Sequence, residues 1–291
     1  MATIKSILQE STLDRIDARI LLHYICQKHL GWDKTKLITN DLEELPIIVV
    51  EEWRALEAAR QNGSPVSYLI QQKAFHGIEL FVNEHVLIPR PETEILVDSV
   101  IQYVEDAFSM HTYSPKNPFR ILDMGTGSGA ILLALAKHFH INDIQNCFEF
   151  LGLDKSQDAI EVARTNAKLL KLPTVQFIQS DWFSQLNPQL FDCIVSNPPY
   201  IAKGDPHLVQ GDLRFEPKLA LTDDADGLAA YQTIFKDIST FIHSNGKVFF
   251  EHGFTQGSSI RDLFYSKGFI NVQTLRDLSG NERITCGIAP I

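Results

Sequence analysis

Residues 121–136 read ILDMGTGSGAILLALA: an apolar run, a glycine-rich turn and the start of a helical pattern. Gly125, Gly127 and Gly129 let the backbone turn sharply and let a ligand approach closely, because no Cβ stands in the way. Thr126 and Ser128 lie between them. A strand that passes through such a turn into a helix reads as one unit of a Rossmann-like sheet. The turn also satisfies the dinucleotide pattern G-x-G-x-x-[G/A], with Ala130 in the small-residue slot. Taken alone it points to a nucleoside-containing ligand and does not say which.

On its C-terminal side the alternation continues. Strands are expected at 120–125, 148–154, 175–181, 191–196 and 247–253, with helical patterns in the first two gaps and before the fifth strand. That order predicts a doubly wound α/β sheet with helices on both faces. The tail, INVQTLRDLSGNERITCGIAPI, reads as two further strands around Ser279, Gly280 and Asn281. On the N-terminal side, LDRIDARILLHYICQKHL sets Ile16, Ile20, His23, Tyr24 and Leu30 at helical spacing, with Leu21, Leu22 and Ile25 widening the apolar face. A second helix is expected between Pro46 and Gly63. FHGIELFVNEHVLIPR then alternates, with Asn83 and Glu84 between apolar runs, which predicts a β-hairpin. A further helix opens at Pro91 with Glu92 and Glu94 in its first turn.

Composition bounds the function. The 291 residues carry 36 acidic against 26 basic side chains, a formal net charge of −10. A protein that neutralises many phosphates usually carries a basic face, so an acidic chain argues against duplex DNA as partner. Cys26, Cys147, Cys193 and Cys286 are scattered and form no CxxC pair, which fits a reducing cytosol better than a zinc site or a disulfide framework. There is no basic segment followed by an apolar core at the N-terminus, and no run near the ~18–20 residues that span a bilayer. A cytoplasmic protein that acts as a monomer is the expectation.

Three further features belong with the glycine turn. Asp154 ends the second strand of the α/β part, where a carboxylate can accept ribose hydroxyls. Asp181 and Trp182 end the third, where a carboxylate can accept from an adenine amino group and an indole can stack on the ring. After the fourth come Asn197, Pro198, Pro199 and Tyr200. The prolines fix two φ angles and remove two donors, so the loop is rigid and rich in acceptors. Such a loop suits a planar NH2 group and does not by itself choose between adenine and an amide.

In this order, ILDMGTGSGAI, Asp154, SDWF and NPPY resemble a class I S-adenosylmethionine-dependent methyltransferase. Collinear segments narrow the likeness: GSPVSYLI (63–70), VLIPRPETEILVD (86–98), DPHLVQGDLRFEPKLAL (205–221), DGLAAYQTI (226–234), EHG (251–253) and GNERIT (280–285). Together they resemble the HemK-type peptide chain release factor glutamine methyltransferases. His76 in FHG departs from the bulkier aromatic of that family, which bears on the packing of the hairpin.

The resemblance implies a helical substrate-recognition domain over 1–73, a hairpin linker over 74–90 and a seven-stranded methyltransferase domain over 91–291. It implies S-adenosylmethionine as cofactor, held by Gly125, Thr126, Gly127, Ser128, Gly129, Asp154, Asp181, Trp182 and Asn197. The substrate would be the glutamine of the Gly-Gly-Gln loop of a release factor; methylation of a large-subunit ribosomal protein glutamine is the alternative, and N6-adenine methylation a more distant one. Asn197, Pro198, Pro199 and Tyr200 would bind that amide and orient it for catalysis: the Asn197 oxygen and the Pro198 carbonyl accept its two N–H bonds, and the Tyr200 ring packs against its plane. No nucleic acid and no membrane would take part, and no metal is required. Arg90, Glu92 and Thr93 would lie near the methionine end of the cofactor, and residues 205–217 have the length of a lid. His76, His85, His207 and His252 are read as structural.

Overall fold

The computed structural model describes residues 2–141 and 144–291 and divides the chain into two compact units, Met1–Gln72 with Gln210–Phe215, and Lys73–Val209 with Glu216–Ile291.

The first unit holds helices α1 (Ile4–Glu10), α2 (Arg15–Leu30), α3 (Lys34–Thr39), α4 (Ile47–Gln61) and α5 (Val66–Leu69). Thr3, Asp14 and Asp33 cap the first three through side-chain oxygens that accept backbone N–H bonds. Gly31 ends α2 at φ 65°, the left-handed conformation that lets a chain leave a helix. The α2 helix lies where expected, but its packed face differs. Ala18, Leu21, Leu22, Ile25 and Cys26 are buried, whereas Ile16 and Ile20 are exposed. Spacing gave one wide apolar face, and packing with Val49, Val50 and Trp53 in one core cluster selects its Leu21, Leu22 and Ile25 side. Segment 210–215, which sequence assigned to the catalytic part, clusters with these helices: Arg60 donates to Asp212 at 2.8 Å and to Asp17 at 2.7 Å.

A hairpin follows, β1 (Gln72–Phe75) and β2 (Ile78–Phe81), which belongs to the second unit from Lys73 onward. Its turn is His76-Gly77, not Asn83-Glu84. Both turn residues take positive φ, 44° and 76°, the geometry that two-residue hairpins demand and glycine supplies. The aromatic missing at position 76 is thus absent from a turn; Phe75 beside it is buried.

Next come α6 (Glu94–Met110), preceded by a 3-10 turn Pro91–Thr93, then β3 (Phe119–Met124), α7 (Ala130–Ile141), β4 (Phe148–Asp154), α8 (Gln157–Leu169), β5 (Val175–Gln179) and β6 (Phe191–Ser196). The short α9 (Lys218–Leu221), then α10 (Ala229–Asp237), β7 (Ile242–Glu251), α11 (Gly257–Ser266), β8 (Ile270–Arg276) and β9 (Glu282–Ile288) complete it. Among the described residues one seven-stranded sheet forms, in the order β5-β4-β3-β6-β7-β9-β8. The first five strands pair in parallel, and β9 runs antiparallel to both β7 and β8.

The order reverses beside β3, from which the chain winds to β4 and β5 on one side and to β6 and β7 on the other. A crevice opens at the carboxyl ends of strands at such a switch point. The core beneath it is aromatic: Phe235, Phe250, Phe264 and Phe269 meet edge to face at 4.8–6.1 Å between centroids.

Candidate active site

The glycine turn is built by hydrogen bonds before any ligand is considered. Gly125 and Thr126 N–H both donate to the Leu153 carbonyl at 2.8 Å, and Gly129 N–H donates to Thr126 O at 2.8 Å. Gly125, Gly127 and Gly129 have φ of 72°, 54° and 81°, where an L side chain is strained. Their surroundings differ. A Cβ on Gly129 would stand 2.9 Å from Leu133 Cδ1 and 3.3 Å from Ala163 Cβ, whereas one on Gly127 would meet nothing within 4 Å. Gly129 therefore serves helix packing, and Gly127 leaves space open.

That space belongs to a cavity of about 460 Å3 in the second unit. Its wall includes Gly125, Gly127, Asp154, Asp181, Trp182, Asn197 and Pro199. These expected residues come from the ends of β3, β4, β5 and β6 and converge on one volume. Thr126, Ser128, Gly129, Pro198 and Tyr200 are not part of the wall. Thr126 turns inward and donates to Asp123 Oδ2 at 2.6 Å, while the Ser128 carbonyl accepts from Asn166 at 2.9 Å. These residues shape the loops that others present. His85, Lys218, Leu219, Ala220 and Asp223 also line the cavity, and sequence reasoning did not single them out for it.

Asp154 joins the turn to the next strand. Its Oδ2 accepts from Gly127 N–H and its Oδ1 from Ser156 N–H, both at 2.9 Å. Burial raises its pKa, and the N–H groups of Ser156, Gly127 and Lys155 oppose the rise. A carboxylate has about four lone-pair sites, so these three N–H groups still leave acceptor capacity for a ligand hydroxyl. Asp181 pairs with Lys155 at 2.8 Å, and both are exposed. Trp182 sits at φ 53°, held by Ser180 Oγ donating to its carbonyl at 2.5 Å. A Cβ on Gly125 would lie 3.9 Å from the Trp182 ring, so the indole borders the turn.

The loop after β6 is fixed from several directions. Ser196 Oγ donates to Met124 O at 2.6 Å, and Gln256 Nε2 donates to the carbonyls of Tyr200 and Gly227 at 3.0 and 3.1 Å. A Cβ on Gly227 would stand 2.4 Å from Tyr200 O, so only glycine fits there. Asn197 Nδ2 donates to Thr93 Oγ1 at 3.3 Å, which brings the IPRPETE segment beside the NPPY loop. Arg90 forms an ion pair with Glu216, whose side chain is fully buried and also accepts from Ile88 N–H at 3.0 Å. Burial raises the Tyr200 hydroxyl pKa far above its ordinary value. His252 is buried between Thr285 and the Gly253 carbonyl, a structural setting.

Two acids were quoted in the sequence without a role. Asp123 is fully buried, and its Oδ1 has no hydrogen-bond partner among the described residues. Burial pushes its carboxyl up to about 7, with Thr126 opposing and Asp154 adding to the rise. Glu251, at the end of β7, is 2 % exposed, and its Oε2 has no hydrogen-bond partner among the described residues. Burial likewise pushes its carboxyl up to about 7. The available signal was an acid at or near the carboxyl end of an apolar parallel strand.

With this geometry in place, the chain can be compared with known proteins. Residues 115–263 match the family described as "Methyltransferase domain", and residues 1–70 match "PrmC N-terminal domain". The release factor glutamine methyltransferase of Burkholderia pseudomallei is 40 % identical over 99 % of this chain and 97 % of its own length. That of Escherichia coli is 39 % identical over 96 % of this chain and 94 % of its own. The chain belongs to the release factor glutamine methyltransferase family. Its fold is also that of a methyltransferase from Pyrococcus furiosus, with a TM-score of 0.51 at 15 % identity, covering 81 % of this chain and 99 % of that one. Membership of this family accounts for the helical unit, which a methyltransferase sheet alone does not require. Among the described residues no helix is long and apolar enough to cross a membrane, and no cluster of side chains could hold a metal ion.

Proposed function

We propose that this protein transfers a methyl group from S-adenosylmethionine to the side-chain amide nitrogen of the glutamine in the Gly-Gly-Gln motif of a peptide chain release factor. The observation that carries the reading is that Asn197 shares one cavity wall with Gly125, Gly127 and Asp154. An amide-binding group and a nucleoside-binding turn thus face the same volume.

The residues fit the cofactor. Gly127 leaves room where a Cβ would intrude, Asp154 keeps acceptor positions for ribose hydroxyls, and Trp182 offers a flat wall beside Gly125. Asp181 would turn from Lys155 to the adenine amino group, an exposed pairing of ~0–1 kcal/mol that is easily exchanged. When bound, S-adenosylmethionine supplies an electrophilic methyl group on a sulfonium that leaves as a neutral thioether.

The protein's contribution is placement. An amide nitrogen is a poor nucleophile because its lone pair is delocalised, and holding reactants in line is worth up to ~7–11 kcal/mol. Asn197 Oδ1 on the wall and the carbonyl of Pro198, which lies between the wall residues Asn197 and Pro199, accept the two N–H bonds of the glutamine amide and favour the positive charge that grows on nitrogen. The prolines keep those acceptors still, and Tyr200 backs the loop. Glutamate has no N–H to give and would set a carboxylate against these acceptors. No general base is assigned, since the alkylated nitrogen becomes acidic and sheds its proton afterwards.

The helical unit recognises the release factor in this reading. The enzyme acts as a cytoplasmic monomer, and the net charge of −10 supports a protein rather than a nucleic acid as acceptor. The test incubates the protein with labelled S-adenosylmethionine, purified release factor and a large-subunit ribosomal fraction. Mass spectrometry should find the methyl on the Gly-Gly-Gln glutamine. Label only on a ribosomal glutamine, or only on DNA added in a parallel reaction, overturns the proposal.

A further inference from the structure

Asn197 can serve an incoming amide only if its own amide is turned correctly. With Oδ1 toward the cavity it accepts the substrate N–H; with Nδ2 outward it would present a donor to a donor. The two orientations differ by a half-turn of a nearly symmetrical group, so something must select one.

Three chain segments meet at this point: the 3-10 turn Pro91–Thr93, the loop after β6, and the end of β7. Asn197 Nδ2 donates to Thr93 Oγ1 at 3.3 Å. Thr93 is 4 % exposed and Glu251 2 %, and the Thr93 hydroxyl and Asn197 amide both face the Glu251 carboxyl. An ionised carboxylate only accepts hydrogen bonds, whereas a hydroxyl both donates and accepts. When Glu251 is ionised it accepts a hydrogen bond from the Thr93 hydroxyl, and Thr93 then has only lone pairs to offer Asn197. Asn197 must then turn its NH2 toward Thr93 and its oxygen toward the cavity. The direction of the chain is set at its buried end. Tyr231 Oη donates to the Glu251 carbonyl at 2.6 Å and ladder pairing with Ile284 holds the backbone, so that end does not shift.

We infer that Glu251, acting on Asn197 both directly and through Thr93, is a positioning residue that fixes the amide of Asn197 with its oxygen toward the substrate. The inference rests on the proposed glutamine methylation and deepens it. Glu251 need not touch substrate or cofactor. Its neutral isostere would lose the directionality, because a glutamine there can turn its NH2 toward Thr93, let the Thr93 hydroxyl donate to Asn197 Oδ1, and so present Asn197 Nδ2 outward.

The experiment compares wild type, Glu251→Gln, Thr93→Val and the double variant on purified release factor. Thermal unfolding establishes folding, and calorimetry gives the S-adenosylmethionine affinity. Each single variant should lose roughly 10- to 100-fold in kcat, the scale on which misplacement acts, while KM and cofactor affinity change by less than about threefold. The double variant should be no worse than the worse single one, because both substitutions cut the same chain. A folded Glu251→Gln enzyme with kcat within about twofold of wild type overturns the inference, as do losses that multiply in the double variant. Should Glu251→Gln fail to fold, Thr93→Val decides: wild-type kcat overturns the inference, and the expected loss supports it. If wild type itself transfers no methyl to release factor, the proposed function fails and the inference falls with it. A working wild type with unimpaired variants removes the inference alone.

Discussion

Asp154 and Asn197 line the same cavity yet should fail differently. Asp154 holds Gly127 and Ser156 N–H and, in the proposed reading, accepts from the ribose hydroxyls as well. Asp154→Ala should therefore weaken S-adenosylmethionine binding, measured by calorimetry, by at least about tenfold, since hydrogen bonds to a charged group contribute ~1.5–3 kcal/mol. Asn197→Ala should keep that affinity within a few-fold and lose most of kcat, measured as label transfer. A second acid makes a pH-dependent prediction. Asp123 is buried, with its carboxyl pushed up to about 7 from an ordinary value near 4. The folded state then binds more protons than the unfolded one between those values. Its contribution to stability is present in acid and is lost as pH rises through about 7. Asp123→Asn removes that loss. Urea unfolding should show the variant gaining on wild type from about pH 4 to about pH 7 and levelling off above; a difference constant with pH would contradict the buried-acid account.

At the scale of elements, Asn166 on α8 is the tie between the hairpin and the glycine turn. It is fully buried, accepts from Phe81 N–H at 2.7 Å, and donates to Phe81 O and Ser128 O, both at 2.9 Å. Asn166→Ala leaves several backbone groups without partners, each costing about 1–3 kcal/mol if it stays buried. We expect a loss of about 2–4 kcal/mol in urea unfolding, with the slope unchanged. An aspartate there cannot donate, so Asn166→Asp should not restore stability. Asn166 also shows where sequence reading stopped. The glycine turn, Asp154 and NPPY were legible because each is a short string whose chemistry is local. Asn166 lies inside an amphipathic helix and gives no sign that three backbone groups elsewhere depend on it. Glu251 stood in a quoted string, but its role depends on Thr93 and Asn197, which only the folded sheet brings near. The α2 face was drawn too wide for a related reason: period locates an apolar face, and only the neighbouring helix chooses which part of it packs.

At the scale of the whole molecule, the cysteines report on the two units separately. Cys26 is buried in the helical core, and Cys193 and Cys286 are buried in the sheet, while Cys147 is partly exposed. Burial pushes the Cys26 thiol up to about 11 and raises Cys193 and Cys286 as well, so none of the three reacts until its surroundings open. A thiol reagent should modify Cys147 quickly and the other three at rates set by opening of their own unit. Each unit has its own core, and the cavity assigned to S-adenosylmethionine lies wholly in the second. A ligand at about 100 times its Kd stabilises the state it binds by ~2.7 kcal/mol, a factor of about 100 in opening. Saturating S-adenosylmethionine should therefore slow Cys193 and Cys286 by up to about that factor and leave Cys26 unchanged. Mass spectrometry of the labelled peptides reads each site independently. Equal slowing of all three would show that the units open as one body, and no slowing of Cys193 and Cys286 would remove the cofactor from this cavity.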